Sequence, residues 1–367
     1  MEMNEVRDNV KLALPFLAGS LSYACLSSDI SYAYFAAGTS MLMLTTFMLL
    51  NLWSIRKNGF TRPWNMVFLC LMGFSTGFCI HAVCELTDLT RDPTSGGFFE
   101  QVGNTMQGWI DGMEFRSRNT NAIIKALLTG NRRDIPSETL NAFRTSGASH
   151  ILALSGLHLG IIYMIVSRLL SVFNGGPGTK LFRSVACISL CTIYSFATGA
   201  GASIIRALIF IIVRETGTLL HRPPDLKTTI ASSLIIHLTL FPQDVSSIGF
   251  QLSYAAIVGI AWIHPWLESL WLDGEEKTLM RRIWESASVS ISCQLTTGPL
   301  AWHYFGTFPQ YFILTNMVAL PLTGIIVPFS IAVILLSLTG SCPGIIIKSL
   351  EGIIAVMTDA LEIISTL

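Results

Sequence analysis

Long apolar runs separated by short polar breaks recur from one end of the chain to the other. A helix that crosses a bilayer needs about 20 mostly apolar residues. By that measure spans fall at 12–26, 31–53, 64–83, 148–170, 184–199, 202–220, 228–241, 248–266, 284–302, 310–340 and 343–365. The run 228–241 is short enough for a re-entrant path. The run 310–340 reads as one long or two short segments, since Pro321 and Pro328 remove backbone donors and are expected to break it. The pattern predicts an all-α fold, a polytopic transmembrane helix bundle of about ten spans.

The one long polar interval, 84–147, is patterned too. Phe99, Val102, Met106, Trp109 and Met113 recur at spacings of three and four, which marks one apolar stripe on a helix. Ile123, Ile124, Leu127 and Leu128 form a second stripe, ended by Gly130. Pro136, Leu140 and Phe143 mark a third short helix, for which Asp134 is the candidate cap. The expected organisation is a three-span segment at 1–83, short amphipathic helices on the outer face at 84–147, and a transmembrane core at 148–367.

Composition agrees with this pattern. Charged residues are 13% of the chain and apolar ones 51%, against roughly a quarter charged in a soluble domain. The mean hydropathy is +0.58. Of 8 cysteines, Cys25, Cys70, Cys79, Cys187, Cys191 and Cys293 fall in apolar runs, where a thiol behaves as a small hydrophobe. Cys84 lies just beyond one and has no obvious mate. There is no CxxC or Cys/His zinc spacing, so neither a disulfide framework nor a metal site is expected, and no cofactor. The first apolar run lacks a small-x-small cleavage site and reads as a retained span.

Net charge is zero, but its placement is uneven. Arg56, Lys57, Arg62, Arg168, Lys180, Arg183, Arg222, Lys227, Lys277, Arg281 and Arg282 all fall on one face if the N-terminus is cytoplasmic. The same count puts 84–147 outside. Within it, 85–114 is mostly acidic and 116–144 mostly basic. Arg116, Arg118, Lys125, Arg132, Arg133 and Arg144 would form a cationic collar that attracts a polyanion. The alternative is that the two halves pair as salt bridges. Both readings stay open at this level.

Polar groups inside a bilayer are costly and mark candidate sites. The densest set is His150, Ser155, Gly156 and His158 in the run 148–170. On a regular helix Ser155 and His158 share a face, while His150 lies two turns away. Ser155-Gly156 is a place where the helix can unwind to line a cavity, as in broken transporter helices. A small-residue packing face with hydrogen-bonded imidazoles is the structural alternative. Arg206, Arg214 and Glu215 lie in the run 202–220, and Gln251, Ser253, Gln294 and Asn316 are further buried polar candidates.

Several of these stretches resemble the ComEC competence family. Leu127-Leu-Thr-Gly-Asn-Arg-Arg133, Phe143-Arg-Thr-Ser-Gly147 and His150-Ile-Leu-Ala-Leu-Ser-Gly-Leu-His-Leu-Gly160 resemble its signature, a line close to HLLAISGLHVG, differing there only by exchanges among Ile, Leu and Val. Gly201-Ala-Ser-Ile-Ile-Arg-Ala207, Phe250-Gln-Leu-Ser-Tyr254, Gly298-Pro-Leu300, Phe305-Gly306 and Asn316…Pro321 resemble later family elements in order, over about 120–340.

The resemblance implies an inner-membrane channel that carries one strand of incoming DNA into the cytoplasm during natural transformation. It implies His150, Ser155, Gly156, His158, Arg206, Gln251 and Asn316 as pathway or gate positions, with no catalytic residue. Single-stranded DNA is then the cargo and the bilayer the surroundings; a separate nuclease, a DNA receptor and a cytoplasmic motor are the implied partners. Two departures stand out. The interval 84–118 shows no alternating strands such as the OB-like domain of longer relatives would need. The HxHxDH motif of their metallo-β-lactamase-like domain is not present in this sequence. Degradation of the second strand is therefore expected from another protein.

Aromatic residues Trp109, Phe143, Trp302 and Tyr304 are candidates for stacking on bases, or for an interfacial belt. Two other classes remain: an exporter or scaffold for another polymer, and an intramembrane serine hydrolase built on Ser155 and His158. The second lacks a nearby carboxylate to orient the histidine.

Overall fold

The computed structural model describes residues 2–26, 70–81 apart from 72 and 79, 97–113, 115–172, 177–271, 279–306, 310–340 and 342–366. The expected span 31–53, half of 64–83, the loop 54–63 and the acidic stretch 85–92 fall outside them. Among the described residues every regular element is helical.

The helices are α1 (Glu2–Leu26), α2 (Phe98–Asp111), α3 (Arg118–Thr129), α4 (Ser137–Thr145), α5 (Ser149–Leu152), α6 (Gly156–Leu170) and α7 (Pro177–Ala197). They continue with α8 (Ala202–Leu219), α9 (Leu226–Leu240), a 3₁₀ turn at Pro242–Ser246, α10 (Ile248–Trp262) and α11 (His264–Ser269). The last are α12 (Leu279–Phe305), α13 (Phe312–Leu338) and α14 (Gly344–Ser365).

Among the described residues, three stretches are long and apolar enough to cross a membrane, at Gly178–Ala197, Ile248–Ser269 and Phe312–Leu338. Only 22–33% of each apolar window is buried within the protein. The remaining apolar surface faces outwards, an arrangement that lipid tolerates and water does not. The protein is an integral membrane protein.

α13 runs unbroken through Pro321 and Pro328, against the break expected from sequence. Within a bundle, neighbouring helices and Ser or Thr hydroxyls offset what a proline removes. Here Ala319, Ile326 and Val327 beside the prolines are buried in the core with α3 and α14, so tertiary packing holds the helix through both. The run 148–170 is instead interrupted, at residues 153–155.

The chain folds as two compact units. One comprises Met1–Ser95 and Ile209–Gln251. In it α1 packs on α9 and the 3₁₀ turn. Gly19 and Gly77 lie against the backbone carbonyls of Phe74 and Phe16, a reciprocal close approach that only residues without a side chain permit. Beside it Ser20 Oγ lies 3.1 Å from His81 Nδ1, and the fully buried Tyr23 ring stands 4.9 Å from the His81 ring. His237, also fully buried, pairs through Nε2 with Asp244 Oδ2 at 2.9 Å and closes the turn after α9.

The other unit comprises Gly96–Leu208 and Leu252–Leu367. Its core joins Ile123, Ile124, Leu127 and Leu128 of α3 to Ala319, Ile326 and Val327 of α13 and to Leu350, Ile354 and Met357 of α14. The second predicted stripe is therefore a core stripe, and Gly130 ends α3 in the left-handed conformation (φ 76°) that favours glycine. The residues of 97–147 are integral to this packing. α2 is turned about one residue from its predicted stripe: Gly103 and Ile110 are buried, whereas Phe99 and Trp109 stay exposed. The reason is its crossing with α7, where Gly103 sits against the Ala197 carbonyl and Phe99 tilts onto Phe196.

Candidate functional site

The signature run begins as a single turn of helix, α5, and leaves it after Leu152. Ala153 (ψ 131°) and Ser155 (ψ 171°) are extended, and α6 starts afresh at Gly156. A break frees backbone groups that must find partners in a dry setting. Arg132 supplies one, its Nε donating to the Leu152 carbonyl at 3.0 Å. Ser155 and His158 supply another: the Ser155 N–H donates to His158 Nδ1 at 3.2 Å, and Ser155 Oγ lies 3.0 Å from the same nitrogen. This is a capping box with histidine in place of the usual Glu or Gln. Because Nδ1 accepts, a neutral His158 carries its proton on Nε2. That atom is buried and has no hydrogen-bond partner.

Over the new helix start lies Arg206 of α8, 9% exposed. Its Nη1 donates to the Ser253 carbonyl at 3.0 Å, and Ser203 and Ser253 share a hydroxyl contact at 2.9 Å. A Cβ on Gly156 would stand 2.7 Å from Arg206 Nη2 and 3.3 Å from Ala207 Cβ. Gly156 is thus the space in which the guanidinium rests. A cation beside a helix N-terminus adds to the positive end of the helix dipole rather than offsetting it, so the break is a concentrated positive site.

Of the expected pathway residues, the structure brings together Ser155, Gly156, His158 and Arg206. His150 stands in α5, on the other side of the break from His158. His150 itself is exposed, with Nδ1 3.1 Å from the Gly147 carbonyl. Gln251 belongs to the first unit, where its Nε2 donates to the Val245 carbonyl at 3.0 Å and steadies the 3₁₀ turn. Asn316 keeps a buried Oδ1 without a hydrogen-bond partner, beside Thr315, whose hydroxyl donates to the Ser146 carbonyl at 2.6 Å.

The expected cationic collar is corrected at Lys125. Its side chain is buried and its ammonium bridges Asp111 at 2.5 Å and Asp134 at 2.8 Å. Burial opposes its charge, but the two carboxylates outweigh that and hold it above the ordinary lysine value. This is the salt-bridge alternative, realised at one position. It also takes Asp134 away from capping α4, whose N-cap is Pro136. Arg116, Arg132, Arg133 and Arg144 are exposed; the Arg118 side chain lies outside the described residues. Phe143 is 1% exposed and unavailable for base stacking. Trp109, Trp302 and Tyr304 are exposed.

Sequence reasoning missed Glu351 of α14. Its Oε1 accepts from the Arg116 and Ser117 N–H groups at 2.5 and 3.3 Å and so caps α3 from 235 residues away. It missed Ser203 as a member of the Arg206 cluster. An acidic residue within an apolar helix was the available signal for the first.

The comparisons with known proteins cover the part of the chain that carries the break. A family profile described as "Competence protein" fits residues 127–367, and the chain belongs to that family. It is 30% identical over 229 residues to "ComE operon protein 3" of Bacillus subtilis (strain 168), a match covering 61% of this chain and 27% of the relative. It is 26% identical over 238 residues to an uncharacterized protein of Aquifex aeolicus (strain VF5), covering 65% of this chain and 53% of that one. The protein YcaI of Escherichia coli (strain K12) is 23% identical over 227 residues, covering 60% and 30%. The chain therefore spans between about a quarter and a half of the length of these relatives. No solved structure matches it.

Proposed function

We propose that this protein is a channel of the bacterial inner membrane, with a cytoplasmic N-terminus, through which single-stranded DNA is taken up during natural transformation. The observation that carries the reading is the α5–α6 break under Arg206. A strand bears one negative charge per phosphate, so a path through a bilayer needs polar, positively biased groups in its core. A broken helix whose N-terminus points at a cavity is how membrane transporters meet anionic cargo. Family membership and the one-sided loop charges support the same reading. A receptor, a nuclease and a cytoplasmic motor are the partners it requires. No catalytic residue is assigned.

Deletion of the gene and scoring of transformation with marked DNA tests it. Loss of transformants, restored by the gene in trans, is expected; an unchanged frequency overturns the uptake role and favours an exporter or scaffold for another polymer. A second reading, an intramembrane serine hydrolase, draws on the 3.0 Å contact between Ser155 Oγ and His158 Nδ1. Against it, the same nitrogen accepts the Ser155 N–H, and His158 Nε2 has no carboxylate to orient it. Ser155→Ala separates the two, since it abolishes a hydrolase but spares a channel more than Gly156→Leu does.

A further inference from the structure

α2 is held to its unit in a fixed roll about its own axis. On one side Gly103 sits against the Ala197 carbonyl at the end of α7. On the adjoining side three polar ties bind it to α3 and the turn that follows. Asp111 bridges Lys125. The Ile110 carbonyl accepts from Asn121 Nδ2 at 2.8 Å, and Gln107 Oε1 accepts from Asn131 Nδ2 at 3.0 Å. With the roll set, the sides of α2 that remain open are set as well.

At about 100° per residue, Phe98, Val102 and Trp109 fall within one narrow sector of the helix. Phe98 is 63% exposed and Trp109 45%, with Val102 half-buried between them. The strip is about 16 Å long at the helical rise. Glu100, Asn104 and Gly108 are exposed on another side. α2 therefore has one side on protein, one apolar and open, and one polar and open.

The open apolar side is continuous with a surface that meets lipid. The span Gly178–Ala197 has 20 residues and only 28% of its apolar window buried. A helix of that length rises about 30 Å, the thickness of the hydrocarbon core, so Ala197 stands at the edge of that core. The chain turns there, with Gly199 and Ala200 at φ 92° and 49°. Phe98 meets Phe99 edge-on at 5.5 Å, and Phe99 tilts onto Phe196 at 5.2 Å. An aromatic run thus leads from the strip onto the last turn of the span. α2 carries no Lys or Arg; its charged residues are Glu100 and Asp111, and Lys125 engages the second.

We propose that α2 lies along the membrane interface, with Phe98, Val102 and Trp109 immersed in the headgroup–acyl boundary of the bilayer that α7 spans. Its partner is the uncharged, apolar layer of that boundary and not the anionic headgroups. Helices drawn to membranes by charge carry Lys and Arg on the polar face, whereas this one carries a carboxylate. The Trp109 indole matches the level, with an apolar body and a single N–H donor for the wet side. Tied to α3 on one side and to lipid on another, α2 fixes the depth at which this end of the unit stands. The inference holds whatever cargo the protein carries.

The test uses the full chain in phosphatidylcholine liposomes and reads Trp109 as the fluorescence difference between wild type and Trp109→Phe. Brominated lipids carry the quencher either near the headgroup or near the terminal methyl. An indole held about 5–10 Å deep should be quenched roughly two-fold more strongly by the shallow lipid than by the deep one. Asn104→Trp in the Trp109→Phe background reports the polar side, and aqueous acrylamide but neither lipid should quench it. Adding phosphatidylglycerol should leave the Trp109 quenching unchanged. Quenching of Trp109 by acrylamide and by neither lipid overturns the proposal, because the strip then faces water. Shielding from all three quenchers overturns it too, because protein then covers the strip. Equal lipid quenching in Asn104→Trp means that α2 is submerged whole, which refutes a one-sided strip. A rise with phosphatidylglycerol that salt removes shows docking by charge and refutes the neutral boundary. Trp109→Phe keeps an apolar ring and Asn104 is exposed, so both variants are expected to fold.

Discussion

Gly156→Ala separates a gate from a packing contact. The new Cβ would sit 2.7 Å from Arg206 Nη2, whereas ordinary contact begins at 3.4 Å, so the guanidinium must retreat by 3.4 − 2.7, or 0.7 Å. Ala207 Cβ, at 3.3 Å, needs to give by only a tenth of an ångström. The obstacle is the end of a flexible side chain, so the fold has a way out. The retreat weakens the Nη1 bond to the Ser253 carbonyl, now 3.0 Å. A hydrogen bond to a charged group contributes about 1.5–3 kcal/mol. Alanine returns up to about 1 kcal/mol of backbone propensity in the first turn of α6. The net loss is about 1 kcal/mol, and the melting temperature in detergent should fall by roughly 2–4 °C.

Transport should suffer far more than stability. If the break under Arg206 is the path of the cargo, a displaced guanidinium and a filled cradle should lower transformation at least ten-fold at normal protein abundance. Arg206→Lys should do likewise while leaving the cradle open. Wild-type transformation by Gly156→Ala, with the small melting shift present to show that Arg206 moved, refutes the reasoning. A loss that merely follows protein abundance refutes it as well.

Three further outcomes follow from the Lys125 triad and the α3 cap. Asp111→Asn and Asp134→Asn, at half-exposed carboxylates, should each cost about 0.5–1 kcal/mol. The double variant strands a buried ammonium and should cost about 3 kcal/mol or more; adding Lys125→Met should recover most of it, and simple additivity in thermal melts would sink the account. The raised Lys125 value makes a signed pH prediction: its contribution is full below the ordinary lysine value of about 10.4 and is lost as pH rises through the higher folded value. The melting difference between wild type and Lys125→Met should therefore be flat from pH 6 to about 9 and shrink only in strong alkali. Glu351→Ala removes the acceptor at the start of α3 and should cost about 1–2 kcal/mol. Faster hydrogen exchange of the amides from Asn119 to Ile123 is the readout, and unchanged protection there would show that Glu351 does not cap α3.

Local pattern alone determined much of this protein. The apolar runs that become α7, α10, α13 and α14 are legible because a bilayer demands unbroken apolar length, whatever the neighbours are. The stripe Ile123, Ile124, Leu127, Leu128 and its stop at Gly130 are legible because helix periodicity and left-handed glycine caps are properties of adjacent residues. Within the signature His150–Gly160, Ser155-Gly156 also marked where the helix breaks.

Only the tertiary structure decided what the polar residues do, because their partners come from far along the chain. Lys125 became half of an internal staple because α3 packs beside Asp111 and below the turn carrying Asp134. Arg132 became a cap for Leu152 and Arg206 the occupant of the Gly156 space, neither of which spacing can reveal. Pro321 and Pro328 did not break α13, whose residues Ala319, Ile326 and Val327 are locked into a core with α3 and α14. Apolar length and periodicity are written locally, but the fate of a buried charge depends on which group the fold brings within about 3 Å of it.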